Sequence, residues 1–545
     1  MPEGVEQMDR RLGRVSIDAL MQIPRRAERQ SHHTLRETFV DIGPLFSTLK
    51  RPEHQVMYGR RGTGKTHALG NLQSYLEQQN ICVVYLDMRT VGSAGGIYSD
   101  PREPVAARAT PLLVDVVEAL HNGLLEFALT EMDAERDSSV LIKGLDLLGA
   151  SVTEVEVIGP MELEEELQDS DRNSAAADIG FSSGHLLQVG LSGSSEKLRS
   201  RSSRKKVSGD VRFSVKFGPL SAAMRQVVNS LPGRHLWLLL DEWSALPLDL
   251  QPVLADLLRR ALLPVSGVVV KIAAIERRSS FCVRGEHGDY LGIELGADVS
   301  QDVNLDDYLI FSEVDDRAFN FFGDLFLRHS AAVSAEVARE FPITPEGRRE
   351  YISALWDSET SFRELVQAAE GIPRDGINIA GLAAQRATPP KDWTRGGISV
   401  DDVRDSARSW FLRDKEASIK ADKIATWALA HIIRFTTQRR KRTFLIERGH
   451  DSNHQVIQVL YDARLIHLLN SAVGPGGGYD LFALDYGGFI NTLANNEKLA
   501  LFQDLWAIQW TDIDPSRSPL VRQAILRVED LVTKPRFTQD DENYP

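Results

Sequence analysis

Residues 54–70 read HQVMYGRRGTGKTHALG. A short apolar run stops at Gly59, two arginines follow, and Gly62-Thr63-Gly64-Lys65-Thr66 then opens a stretch of helical periodicity. The spacing from Gly59 to Gly64-Lys65-Thr66 fits G-x-x-x-x-G-K-[ST], between a predicted strand and a predicted helix as that motif requires. Glycines let the backbone curl so that successive N–H groups point inward. The amides and dipole of the following helix add positive potential. Lys65 is expected to neutralise the β- and γ-phosphates of ATP, and the Thr66 hydroxyl to hold Mg²⁺. The expected nucleotide contacts are Gly59, Arg60, Arg61, Gly62, Thr63, Gly64, Lys65, Thr66 and His67.

Outward from this loop, KTHALGNLQSYLEQQ places Ala68, Leu69, Leu72, Tyr75 and Leu76 on one helical face. ICVVYLDMR is a second buried strand ending in Asp87 and Arg89, and residues 104–150 read as mostly helical. LWLLLDEW (236–243) is an apolar strand with two acids at its tip. In P-loop ATPases one acid there assists Mg²⁺ and a following glutamate polarises the attacking water. Asp241 therefore joins Thr66 as a metal ligand, and Glu242 joins Lys65 in catalysis. Helices near 219–231 and 248–262 and a strand GVVVKIAAIE (267–276) complete this part.

Residues about 160–215 interrupt it as an insertion. Acidic MELEEELQDSD leads into Ser- and Gly-rich text with a basic tract, KLRSRSSRKK (197–206). HLLQVGLSG (185–193) and VRFSVKFG (211–218) flank the tract and are expected to pair as a hairpin with a charged tip. Residues 315–387 read as helical, and ATPPKDW (387–393) marks a break.

The order of these pieces resembles the AAA+ ATPases of the origin-recognition and replication-initiator type, in the bacterial form with a C-terminal winged helix. The resemblance covers about 37–390 apart from the insertion. It implies an α/β P-loop core with a parallel sheet at 37–312, a helical lid at 313–390 and an ATPase activity. EGIPRDGINIAGLAAQRA (370–387) matches that family's lid motif, with Arg374 as the arginine that reaches the γ-phosphate. KIAAIERRSS departs from the family pattern, offering Ala273, Ala274 and Glu276 where a polar sensor is expected. Arg277 and Arg278 stand by position where an arginine finger belongs, and as surface arginines otherwise.

Residues 400–510 look like the winged-helix domain that such initiators carry. Here the 452–465 helix, N-capped by Ser452 or Asn453, would be the recognition element and AVGPGGG (472–478) the wing. Asn453, Gln455 and Gln458 could read base edges of double-stranded DNA, and QRRKR (438–442) could hold phosphates. Residues 401–500 hold 14 Lys and Arg against 12 Asp and Glu, nearly neutral, so protein docking stands beside DNA contact as a use for this unit. Two functions follow: a nucleotide-gated, DNA-associated oligomer, or a signalling switch, as in ATPases of bacterial defence systems, whose winged helix docks protein.

Bulk composition narrows the rest. A length of 545 residues with 42% hydrophobic and 26% charged residues suits a soluble chain of several domains. A net charge of −14 argues against indiscriminate coating of nucleic acid, although short screening lengths leave room for local basic patches. No apolar run approaches the roughly 20 residues of a membrane span, and the N-terminus lacks a secretory apolar region. Cys82 and Cys282 sit in apolar text, as reduced thiols of a cytoplasmic protein do. Residues 1–36 are expected to be a leader or strap, and 511–545 a polar tail.

Overall fold

The structure, a computed structural model, describes residues 3–27, 30–91, 102–130, 139–152, 163–168, 202–207, 217–285, 289–308, 316–388, 397–449, 451–452, 454–493 and 523–532. Five strands form a parallel sheet: β1 (Gln55–Tyr58), β2 (Cys82–Asp87), β3 (Leu236–Asp241), β4 (Val268–Ala274) and β5 (Ser300–Asn304). Their spatial order is β2-β3-β4-β1-β5. Every residue of β1, β3 and β4 is buried. Continuous apolar runs are what a parallel sheet covered on both faces demands. On one face lie the helices Val105–Thr130, Ser139–Val152 and Phe217–Ser230. On the other lie Leu45–Leu49 and Lys65–Glu77. Register puts Tyr58 opposite Ala274 and Asn304, and Asp87 opposite Asp241. All five carboxyl ends therefore share one edge, where open α/β sheets bind ligands.

Arg317–Val333, Ala335–Glu340, Pro345–Leu355, Glu359–Ala368 and Pro373–Ala387 build the helical lid. Three of these starts are capped by Ser334, Thr344 and Ser358, whose hydroxyls accept from backbone amides three residues on. The leader is a helix, Glu3–Gln22, that buries Ile17, Ala19 and Leu20 in the lid's own core. A winged-helix unit follows, with β6 (Thr443–Glu447), β7 (Ile466–Val473) and β8 (Tyr479–Leu484) antiparallel in the order β6-β8-β7. Helices Lys423–Arg439 and Gln455–Asp462 cover this small sheet. The fold is thus an AAA+ P-loop core with a helical lid and a C-terminal winged helix. Among the described residues no helix is long and apolar enough to cross a membrane.

Several boundaries differ from expectation. The helix expected at 452–465 runs only from Gln455 to Asp462, and its cap is His454, whose Nδ1 accepts from Val456 N at 3.3 Å. Ser452 is buried beside it instead of capping, and Asn453 lies outside the described residues. Helix Val400–Trp410, expected in the winged-helix unit, packs Val403 and Ala407 into the lid core together with Tyr486 and Ile490. The expected polar tail contains AILRVEDLV (524–532), which folds back. Leu445 N donates to Ala524 O, and Leu526 N to Leu445 O, both at 2.8 Å, burying Leu526, Val528 and Leu531.

In the insertion the paired strands are Leu163–Gln168 and Ser202–Val207, with Glu164, Glu165 and Glu166 in register with Lys206, Lys205 and Arg204. Of the expected hairpin, residues 185–193 and 211–216 lie outside the described residues, and Phe217 at the end of its second arm begins a helix.

Candidate nucleotide site

The loop from Gly59 to Gly64 turns between β1 and the helix Lys65–Glu77. Gly62 has φ +90°, and a Cβ there would stand 2.8 Å from the Arg374 Cβ, so only glycine admits the lid this close. Gly64 has φ +100°, and a Cβ would meet nothing within 4 Å, so the inner face of the turn is open to a ligand. Lys65 is buried, its Nζ donating to Gly59 O at 2.7 Å and Arg60 O at 3.0 Å. Burial lowers its pKa, while Glu242, Asp306 and Asp241 oppose that shift.

Thr66 Oγ1 donates to Asp241 Oδ2 at 2.7 Å, and Tyr85 OH donates to the same oxygen at 2.6 Å. Glu242 N donates to Asp241 Oδ1 at 2.8 Å. Hydroxyl and carboxylate oxygens brought together in this way are the hard donors that Mg²⁺ selects. Glu242 follows with φ +55°, a left-handed conformation for a non-glycine residue at the end of the strand. Arg89 Nη1 lies 3.8 Å from its carboxylate.

These groups face a cleft of about 320 Å³. Arg61, Lys65, Arg89 and Arg374 bring positive charge to its walls, and Arg25 and Arg26 add more from the chain just after the leader helix. Glu242 is the acid among them. Leu325, Ile377 and Pro24 supply apolar wall. The lid holds its place through Arg374 N, which donates to Gly62 O at 3.2 Å.

His67 and His329 also line the cleft, their rings edge to face at 5.8 Å. Burial, and then the neighbouring His67, push the His329 pKa down to about 3, so it stays neutral in the fold. An unfolded histidine titrates near 6.5. Below that value the unfolded chain takes up a proton that folded His329 refuses, so stability falls as pH drops from about 6.5 toward about 3. The slope from this group is at most about 1.4 kcal/mol per pH unit. Thermal melting at pH 7 and pH 5 should show a smaller drop in His329→Gln than in the wild type; equal drops would refute the assignment.

Residues 24–74 match the ORC-CDC6-like family model. The matched segment runs from the cleft-lining Pro24 through the Gly59–Gly64 loop into the helix that follows it. No curated protein sequence matches the chain. Among solved structures, Cdc6p from Pyrobaculum aerophilum is 12% identical with a TM-score of 0.27, covering 88% of this chain and 99% of that one. Drosophila ORC bound to DNA is 11% identical with a TM-score of 0.28, covering 87% and 94%. The Aeropyrum pernix ORC1 protein in complex with DNA is 13% identical with a TM-score of 0.27, covering 86% and 97%. The strand order and the loop, not these superpositions, define the fold class, and none of the three sources is the expected bacterial one.

Within the ORC-CDC6-like segment the expected contacts divide. Arg61, Gly62, Gly64, Lys65, Thr66 and His67 line the cleft. Gly59 O holds the lysine, and Thr63 Oγ1 donates to Arg60 O at 2.9 Å, bracing the turn. The Arg60 side chain departs from expectation. It turns away from the cleft, where Nε donates to Asp306 Oδ1 at 2.8 Å, Nη1 to His467 Nδ1 at 2.5 Å and Nη2 to Glu370 O at 3.1 Å. The carboxylates of Asp306, first, and Glu370 hold this guanidinium more firmly charged than hydrated arginine, against the effect of its burial.

The finger candidates also face inward. Arg277 Nη1 donates to Ser452 O at 2.7 Å with its guanidinium 5.5 Å from the Tyr461 and Phe482 rings, and Arg278 Nε pairs with Asp462 at 3.2 Å. The end of β4 supplies no polar sensor: Ala273 and Ala274 are buried and Glu276 is exposed. Of QRRKR, Arg442 is buried against Glu370 and is no phosphate contact.

Glu370, His467 and Asp485 approach within 4.8 Å of one another, a spacing that would suit a metal. Each instead faces a fixed cation: Glu370 meets Arg442, Asp485 meets Lys415 at 2.5 Å, and His467 accepts from Arg60. The cluster is a buried charge network. Sequence reasoning missed Tyr85, Asp306, Arg25, Arg26 and His329. Arg89 was visible at its strand end, whereas no local pattern marks the others.

Proposed function

We propose that this chain is an ATP-binding and ATP-hydrolysing AAA+ protein of the initiator type, a nucleotide-gated oligomer that associates with double-stranded DNA. The observation that supports it most is one cleft in which Lys65, the Thr66–Asp241 pair, Glu242 and the lid's Arg374 converge. Thr66 and Asp241 would hold Mg²⁺, which neutralises phosphate charge when bound. Lys65 leaves its two carbonyls for the β- and γ-phosphate oxygens. Glu242 orients and polarises the water that attacks the γ-phosphate. Arg374 pairs with phosphate oxygens, which makes the position of the lid depend on the nucleotide state. Leu325 and Ile377 exclude water from the base side.

DNA association rests on the winged helix and on the ORC-CDC6-like segment. Gln455 and the turn around Gly476 are exposed and would approach the duplex. Fluorescence anisotropy with duplex DNA, with and without ATP, tests this. Binding should weaken steeply as salt rises, because phosphate contacts release counterions. No salt-sensitive binding in either nucleotide state would end the DNA reading.

A second reading, a signalling switch whose winged helix docks protein, is favoured by one observation. Arg442, Arg464 and Lys415 of the C-terminal unit are consumed in internal ion pairs, and its helix Gln455–Asp462 already seats Asp462 on Arg278. Sizing with ATP and Mg²⁺ beside the anisotropy measurement separates the two: assembly driven by a protein trigger, in a chain that binds no duplex DNA, supports the switch.

A further inference from the structure

Three units meet at the Arg60 side chain. Asp306 follows β5 of the core, Glu370 precedes the lid helix Pro373–Ala387, and His467 lies on β7 of the winged helix. An arginine always donates, so His467 Nδ1 accepts from it and the ring proton sits on Nε2, which donates to Asp485 Oδ2 at 3.0 Å. Asp485 also takes Lys415, and Lys415 reaches Asp375 at 2.9 Å. Asp375 is the residue after Arg374, and it pairs in addition with Arg464. Glu370 meets Arg442 and accepts from Tyr486 N at 3.2 Å.

Lid and winged helix are thus tied to each other by buried ion pairs on both sides of Arg374. They share an apolar core as well, since Tyr486 and Ile490 lie among the lid helices. Breaking one partner of such a buried pair is strongly destabilising, so the two units move as one. The contacts that hold this body to the core around the cleft include Arg60 with His467 and Glu370 O, Arg374 N with Gly62 O, Arg277 with Ser452 and the Tyr461 and Phe482 rings, and Arg278 with Asp462.

We infer that Arg60 is a positioning residue that latches the winged helix to the phosphate loop, so that filling the cleft and docking the winged helix oppose each other. The inference rests on the nucleotide reading above. Its physical basis is that Arg60 serves both sides. The Arg60 carbonyl receives Lys65 Nζ and Thr63 Oγ1 inside the loop. The Arg60 side chain grips His467 outside it. When Lys65 turns to phosphate, the Gly59 and Arg60 carbonyls lose the ammonium donor, Thr63 Oγ1 alone of the two side-chain donors stays on Arg60 O, and the anchor of the latch shifts. By reciprocity, a latched winged helix must then weaken nucleotide binding.

The test is calorimetric binding of ATP–Mg²⁺ to the full chain, in the wild type, Arg60→Ala, His467→Ala and the double variant. Each single variant should bind about three- to tenfold tighter, since the cost of unlatching is removed. The double variant should bind no tighter than either single one, because both cut the same contact. His467→Gln, which keeps an acceptor toward Arg60 and a donor toward Asp485, should return the wild-type affinity; general loosening of the fold would not be rescued this way.

Amide exchange in the wild type gives a second readout that needs no variant. ATP should speed exchange across β7 and the helix Gln455–Asp462, and unchanged or slowed exchange overturns the latch. Effects that add in the double variant overturn it too. So does weaker binding by Arg60→Ala with His467→Ala unchanged, which would make Arg60 an ordinary cleft residue. Absence of ATP binding by the wild type is a different failure: it removes the nucleotide reading itself, and the latch with it.

Discussion

Lys65→Ala is expected to lower the affinity for ATP–Mg²⁺ at least about a hundredfold. The buried ammonium stands at the mouth of the turn, held by two carbonyl acceptors. It is therefore held strongly enough to be positioned and weakly enough to be surrendered. Two charge-assisted contacts to phosphate are worth about 1.5–3 kcal/mol each, and about 1.4 kcal/mol is tenfold in binding. Loss of both reaches the predicted factor. Alanine continues the helix from Lys65 without strain, so the melting temperature should hold while calorimetry loses the binding signal. Wild-type affinity in this variant would mean that phosphates do not enter the loop.

Glu242→Gln should leave ATP affinity within about twofold and slow hydrolysis about a hundredfold or more. Glutamine has nearly the same shape, so the left-handed turn at 242 and the amide bond to Asp241 survive the change. What disappears is the negative charge that polarises water beside Arg89. Single-turnover hydrolysis separates this effect from product release. Normal turnover would assign the water to another group and remove Glu242 from the catalytic set.

The two variants probe neighbours in space that differ in how plainly the chain announces them. The loop from Gly59 to Thr66 is contiguous, and its chemistry depends on backbone curvature and helix-start amides, both local properties. Asp241 and Glu242 were legible because two acids close an all-apolar strand at its carboxyl end, where open α/β sheets bind ligands. The contact of Asp241 with Thr66 across 175 residues needed just the order of the parallel strands. The lid arginine was legible through a helix-start pattern, Gly-Ile-Pro-Arg, and the structure sets it on the rim of the same cleft.

The misreadings share a cause. Arg60 looked like a phosphate ligand because it lies among phosphate ligands, yet its guanidinium finds Asp306, 246 residues away, and His467, 407 residues away. Arg442 looked like a basic surface residue because its neighbours are basic, yet it is buried against Glu370. A charged side chain takes whichever partner tertiary packing brings within hydrogen-bond reach, and local pattern carries no record of that partner. The shortened helix at Gln455 and the folded-back segment at Ala524 differ for a related reason, since element ends are set by what packs on them.

Read alone, the chain settles a curled glycine loop, a buried acid-tipped strand and a helical lid with an arginine at its start, because each is specified by neighbours in sequence through backbone geometry and apolar periodicity. It leaves undecided which of its many arginines meet phosphate, which meet carboxylate and which bind the winged helix to the core. Hydrogen bonds need donor and acceptor in direct contact and ion pairs weaken with distance and screening, so only the folded arrangement of core, lid and winged helix assigns those partners.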